Sequence, residues 1–153
     1  MFLSTVEKQL DAKRRIVLPQ DFRAAATGPF DGIFCFPSIE ADCIEGGGQA
    51  LFDAYDALIE ELAFGHPLRT ALETTVFGSL FKLSYDTAGR ITLPEALCDQ
   101  YGLTDQVAVV GLKTRFQIWS LPAYRAHLAR MVVVAREGLP AFRTLQRSGG
   151  AGS

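Results

Sequence analysis

The sequence predicts an α+β fold built from two β-β-α-β halves in tandem, and three observations carry that prediction. The segment DAKRRIVLP at Asp11–Pro19 returns 75 positions later as DTAGRITLP at Asp86–Pro94, with Asp, Arg, Ile, Leu and Pro identical at five of nine positions. Short stretches with strand-like alternation flank both copies. Beyond each proline comes a short helical pattern and then a buried apolar run.

The elements follow in order. Val6 to Leu10 and Leu80 to Tyr85 alternate as strands before each motif, and Ile16 to Leu18 and Ile91 to Leu93 alternate after it, so each D-x-x-x-R is expected on the turn of a β-hairpin. Gly89 suits a turn position with positive φ, because it has no Cβ to clash. Its counterpart is Arg14, which pays roughly 1 kcal/mol there, so either the first turn differs in shape or the strain is tolerated. Pro19 and Pro94 are expected in the first turn of helices over Gln20 to Ala26 and Glu95 to Tyr101, stopped by Gly28-Pro29 and Gly102. Ile33 to Phe36 and Val107 to Val110 read as buried strands, and Phe116 to Trp119 as one further strand. A longer helix follows each half. Leu51, Phe52, Tyr55, Leu58, Ile59 and Leu62 share one face of the first, and the second starts at Ser120 as N-cap with Pro122 in its first turn. The organisation is a first half over residues 5–51, a helical linker over 52–79, a second half over 80–123, a C-terminal helix over 124–147 and a disordered tail over 148–153.

With 153 residues, 48% of them apolar, the chain can bury a real core. No window is apolar enough to span a bilayer, and the first residues lack the pattern of a signal peptide, so a cytoplasmic protein is expected. Cys35, Cys43 and Cys98 have no metal or redox spacing and read as buried free thiols, and His66 and His127 lack ligand neighbours. No cofactor, metal or small-molecule substrate is expected. Net charge is −2, yet the charges are polarised. Residues 31–62 hold Asp31, Glu40, Asp42, Glu45, Asp53, Asp56, Glu60 and Glu61 with no Lys or Arg. Lys8, Lys13, Arg14, Arg15 and Arg23 gather near the first repeat, and residues 113–147 carry seven cations against Glu137.

A β-ribbon fits the major groove of B-DNA, where arginine donates a bidentate pair to guanine and Lys holds phosphate. Lys13, Arg14, Arg15 and Arg90 are therefore the candidate DNA-binding residues, with Asp11, Asp86 and Gly89 supporting the turns. Each Asp is expected to accept bonds from turn N–H groups and to steady the Arg four residues on, since an exposed carboxylate only repels phosphate. A single copy reads as a solvated turn; two matching copies at equivalent places bring a DNA contact level with that reading.

MFLSTVEKQLDAKRRIVLPQDFR, SYDTAGRITLPEAL with YGL after it, and VAVVGLKTRFQIWS closely resemble the MraZ family of bacterial transcriptional regulators, whose halves are SpoVT-AbrB-like domains. The resemblance covers roughly residues 1–128. It implies that the halves intertwine as a swapped-hairpin β-barrel with flanking helices, that protomers close into a homo-oligomeric ring, and that the protein is nucleoid-associated. It further implies binding to G-rich direct repeats in double-stranded DNA ahead of the operon for division and cell-wall genes, usually as a repressor. Lys13 fits the family's D-x-K-G-R form, Arg14 replaces its Gly, Ala88 replaces the Lys of the second copy, and Gly89 is kept. The first turn, with three cations against one, is expected to dominate. Cys98 stands where Arg23 stands in the first half. Gly46-Gly47-Gly48 lacks the Lys-Ser/Thr of a phosphate loop.

In a ring, the acidic block of one protomer is expected to face a neighbour's basic region, with apolar helix residues adhering; equally, both helices cover the barrel within one protomer. The alternative function is an antitoxin-type protein-binding module with secondary DNA binding, whose signature is a long disordered C-terminal segment. An enzyme has thin support: no paired carboxylates near a His and no activated nucleophile.

Overall fold

Two β-β-α-β repeats that each present unpaired strand edges can satisfy them within a half or across halves, and this chain uses the second solution most. In the computed structural model, which describes residues 1–151, a first compact unit spans Met1–Leu121 and a second begins at Pro122. The first unit runs β1 (Thr5–Gln9), β2 (Arg15–Val17), α1 (Gln20–Ala25), β3 (Gly32–Pro37), β4 (Ile44–Gly47), α2 (Gln49–Glu60) and α3 (Pro67–Leu72). A π-helical turn, Glu73–Phe77, continues α3 before β5 (Phe81–Ser84), β6 (Arg90–Thr92), α4 (Glu95–Tyr101), β7 (Gln106–Gly111) and β8 (Phe116–Ser120). The fold is α+β, as the pattern predicts, and every strand pairing is antiparallel.

The six-stranded sheet has the order β1-β7-β8-β4-β3-β5, and β2 pairs with β6 in a separate ribbon. Exchanging β1 with β5, β7 with β3 and β8 with β4 reverses this order without changing it, so the repeat is a two-fold in topology. Only β3–β4 and β7–β8 pair within a half. These pairings close no barrel among the described residues: β1 and β5 remain sheet edges. They also correct the expected hairpins. β1 pairs with β7 and β2 with β6, so each D-x-x-x-R is the corner between a sheet strand and a ribbon strand, not the tip of a two-stranded hairpin.

The core explains why the halves cannot be separated. One apolar cluster joins Ile16, Leu18, Phe22 and Ile33 of the first half to Ile91, Leu93, Val107 and Ile118 of the second. At its centre Phe2, Phe22 and Phe116 lie with ring centroids 5.2–5.8 Å apart, the edge-on and tilted geometries that aromatic quadrupoles favour. A second cluster, Phe36, Leu51 and Val76, seats α2 and the π turn on β3. The three glycines that lead into α2 are packing residues. A Cβ at Gly46 would stand 2.7 Å from the Phe116 ring, one at Gly47 2.9 Å from Leu51, and one at Gly48 2.8 Å from the Ala26 backbone.

Pro19 and Pro94 sit one position earlier than expected, at the N-caps, with extended ψ of 142° and 133°. Their carbonyls accept from the N–H groups of Arg23 and Cys98, each at 3.0 Å, so those two residues occupy equivalent places in α1 and α4. Part of the acidic block is neutralised within the chain. Arg115 pairs with Glu40 at 3.1 Å and with the buried Glu45, and the buried Arg69 bonds Glu60 at 2.9 Å and the Leu62 carbonyl at 2.7 Å.

In the second unit, α5 (Leu121–Ala151) is one helix with Pro140 inside it. It extends through Ser148–Ala151, where a disordered tail is expected. The remainder of that tail, residues 152–153, lies outside the described residues. No helix among the described residues is long and apolar enough to cross a membrane.

Candidate nucleic-acid interface

The two D-x-x-x-R turns share one set of hydrogen bonds. In the first, Asp11 Oδ1 accepts from the backbone N–H of Lys13 at 3.0 Å and of Arg15 at 2.7 Å, while Oδ2 accepts from Arg15 Nε at 2.7 Å. In the second, Asp86 Oδ1 accepts from Ala88 N–H at 2.9 Å and Arg90 N–H at 2.8 Å, and Oδ2 accepts from Arg90 Nε at 2.8 Å. Backbone bonds close each turn: Arg14 N–H to the Asp11 carbonyl and Gly89 N–H to the Asp86 carbonyl, both at 2.9 Å. Arg14 has φ 61° and Gly89 φ 77°, so the first turn keeps the shape of the second and tolerates the strain. Both carboxyls are held below the usual carboxylate value, chiefly because the N–H of the Arg four residues on donates to them, against a smaller opposing effect of desolvation.

Ribbon geometry then brings the two arginines to one surface. Ile16 and Ile91 face each other in register and are buried, so the alternate residues Arg15, Val17, Arg90 and Thr92 share the opposite face. Arg15 stands across from Thr92 and Arg90 across from Val17, which sets the two Arg Cα atoms diagonally about 8 Å apart by standard strand spacings. Val17 is exposed and both Arg side chains are about a third exposed. Among the described residues each of these guanidiniums is bonded only through Nε, which leaves the Nη edge of each for a ligand. Lys13 is exposed on the first turn; Arg14 is half-buried, its Nε donating to the Leu93 carbonyl at 3.3 Å and its own carbonyl accepting from Leu93 N–H at 2.8 Å.

Sequence reasoning missed Arg23. It groups Arg23 with the first repeat, but the side chain reaches the second turn, where its guanidinium carbon lies 4.9 Å from the Tyr85 ring centroid. A Cβ on Gly89 would stand 2.3 Å from Arg23 Nη1. The second turn therefore has two nearby cations, Arg90 and Arg23, and the expected contrast of three against one becomes three against two. The available signal was the pair of unequal positions, Arg14 against Gly89 and Arg23 against Cys98, read together.

The cysteines are all buried and free, as their spacing suggests. Burial pushes the Cys35 and Cys43 thiols up to about 12, and raises Cys98 as well. Among the described residues no group of three or more His, Cys, Asp or Glu is arranged to hold a metal ion.

Comparison with known proteins bears on the same stretch of chain. The family model described as "MraZ protein, putative antitoxin-like" matches residues 1–74 and 76–137. The protein named transcriptional regulator MraZ of Caulobacter vibrioides is 68% identical over 148 residues, covering 97% of this chain and 95% of that one. Its namesake in Phenylobacterium zucineum is 69% identical, covering 97% of this chain and 92% of its own length. The one from Xanthobacter autotrophicus is 37% identical over 137 residues, 89% of this chain and 87% of the relative.

Proposed function

From the premise that the chain belongs to the MraZ family, we propose that it is a sequence-specific DNA-binding transcriptional regulator, acting in the cytoplasm at the nucleoid to repress the operon for division and cell-wall genes. The observation that carries the reading is the outward face of the β2–β6 ribbon. Two guanidiniums, Arg15 and Arg90, are fixed there by identical Asp clamps and present donor edges that match guanine O6 and N7. Asp11 and Asp86 contribute by orientation, since a guanidinium held through Nε loses less freedom on binding. Lys13 and Arg14 add phosphate contacts beside Arg15. The interleaved strands fit two AbrB-like halves that exchange partners across a pseudo-two-fold. Protomers assemble into a ring, with apolar side chains of α5 such as Val133, Val134 and Phe142 exposed for adhesion.

The test is a titration of the full chain against double-stranded DNA from upstream of its own gene, with footprinting to show whether protected units repeat directly. Arg15→Ala should lower affinity at least about tenfold without dissolving the oligomer. Unchanged affinity would remove Arg15 from the contact. One site has a small contact area, so tight binding should need several phased repeats engaged together. A single repeat bound as tightly as several would sink the ring.

A further inference from the structure

Each turn has a guanidinium against its flank, supplied in one case by a helix and in the other by the turn itself. At the second turn, α1 of the other half supplies Arg23, whose guanidinium lies between the Tyr85 ring and the space above Gly89 that a side chain would fill. At the first turn the equivalent of Gly89 is Arg14, the equivalent of Arg23 is Cys98 on α4, and the equivalent of Tyr85 is the buried Leu10. Three positions differ between the halves in a concerted way. Where the turn residue has no side chain, the helix residue is long and rests on an aromatic face; where the turn residue is long, the helix residue is small and the aromatic is gone. Arg14 and Cys98 are close enough for the Arg14 charge to oppose the upward shift that burial imposes on the thiol. Arg14 also bonds the Leu93 carbonyl, one residue before the N-cap of α4, which holds it over that helix start.

We propose that the flank of each turn is one and the same guanidinium seat on the DNA-binding surface, filled at the second turn by Arg23 from the helix and at the first by Arg14 from the turn, with Cys98 the small residue that leaves room for it. The seat restores to the surface the two-fold that the sequence of the turns lacks: a guanidinium pair, Arg15 with Arg90, flanked by a second pair, Arg14 with Arg23. The seat's role is phosphate contact, which positions the duplex while the inner pair reads bases.

This rests on the DNA-binding reading above, and the experiment separates the two. The full chain and its variants are titrated by fluorescence anisotropy against a labelled duplex from upstream of the gene, at several salt concentrations, with a thermal melt of each variant. Arg14→Gly should weaken binding several-fold and make the log–log salt slope shallower by about one. Adding Cys98→Arg in that background, which moves the first turn's flanking guanidinium from the turn to the helix, should recover affinity to within about twofold and restore the slope. The mirror pair gives the same answer on the other side: Arg23→Cys should weaken binding, and Gly89→Arg added to it should recover it. If Arg14→Gly binds as the parent does, or if both compensated pairs melt normally but bind no better than their single variants, the shared seat is overturned while the Arg15 contact stands. If Arg15→Ala also binds as the parent does, the DNA-binding reading of the turns falls, and the seat with it.

Discussion

Arg14 holds a left-handed backbone, φ 61°, where Gly89 holds the matching turn at φ 77°. For a residue with a Cβ that conformation costs about 1–2 kcal/mol. Replacing Arg14 with Gly removes the strain but frees the unfolded chain by about 0.5–1 kcal/mol and gives up the bond to the Leu93 carbonyl. These effects nearly cancel, so Arg14→Gly should change unfolding stability by less than about 1 kcal/mol in a urea titration; a loss of several kcal/mol would mean the side chain is a structural pillar. The clamps titrate in a definite direction. Asp11 and Asp86 have folded pKa values depressed below the usual 3.8, so the stability they contribute is present above the unfolded value and is lost as pH falls through the folded one. An Asp11→Asn, Asp86→Asn double variant should therefore lose less of its melting temperature than the parent between pH 4 and more acidic solution, while the two converge in slope near neutrality. Parallel acid limbs for the two proteins would show that the clamps do not contribute.

At the scale of elements, the turns were legible because their chemistry is local: an Asp, two N–H groups and an Arg lie within five residues and need no other part of the chain. From the residues alone strand pairing was not, because β1 and β5 are near-equivalents in a duplicated chain and offer the same hydrogen bonds to a neighbour in either half. The choice is made by the core, where Ile16 meets Ile91 and Phe116 meets Phe2 and Phe22. The glycine run before α2 was unreadable for the same reason, since the Phe116 ring that excludes a side chain at Gly46 is 70 residues away. That ring is fully buried and packed against two others, so it cannot yield: Gly46→Ala should cost about 1–3 kcal/mol by calorimetry. A melt unchanged by the added methyl would mean the sheet opens freely there. Beside it, Glu45 is 1% exposed and relies on Arg115 and, at 3.3 Å, on Gln117. Arg115→Ala strands that carboxylate and should destabilise by about 2–4 kcal/mol, the lower end reflecting the partial exposure of Arg115. Adding Glu45→Gln should recover part of the loss, because the penalty is for an uncompensated charge rather than for lost packing.

For the first unit as a whole, the decisive property is that its repeat is not a pair of domains. β1 at residues 5–9 pairs with β7 at 106–110, β2 with β6, β3 with β5 and β4 with β8, so four of the six pairings link the halves. The first half alone would keep only the β3–β4 pairing, and a lone hairpin is marginal in water. It would also expose Ile16, Leu18, Phe22 and Ile33, whose partners Ile91, Leu93, Val107 and Ile118 lie beyond residue 79. A fragment of residues 1–79 should therefore show no cooperative unfolding transition, and neither should a fragment from residue 80 onward, whereas mixing the two should regenerate the transition of the full chain. Because the pairings between halves join residues roughly 50 to 100 positions apart, loop closure must come before much of the sheet can form, and the intact chain should fold on the millisecond-to-second scale rather than in microseconds. A cooperative melt from either fragment alone would mean that a half closes its own sheet, and the surface that joins Arg15 to Arg90 would then not require both halves in one fold.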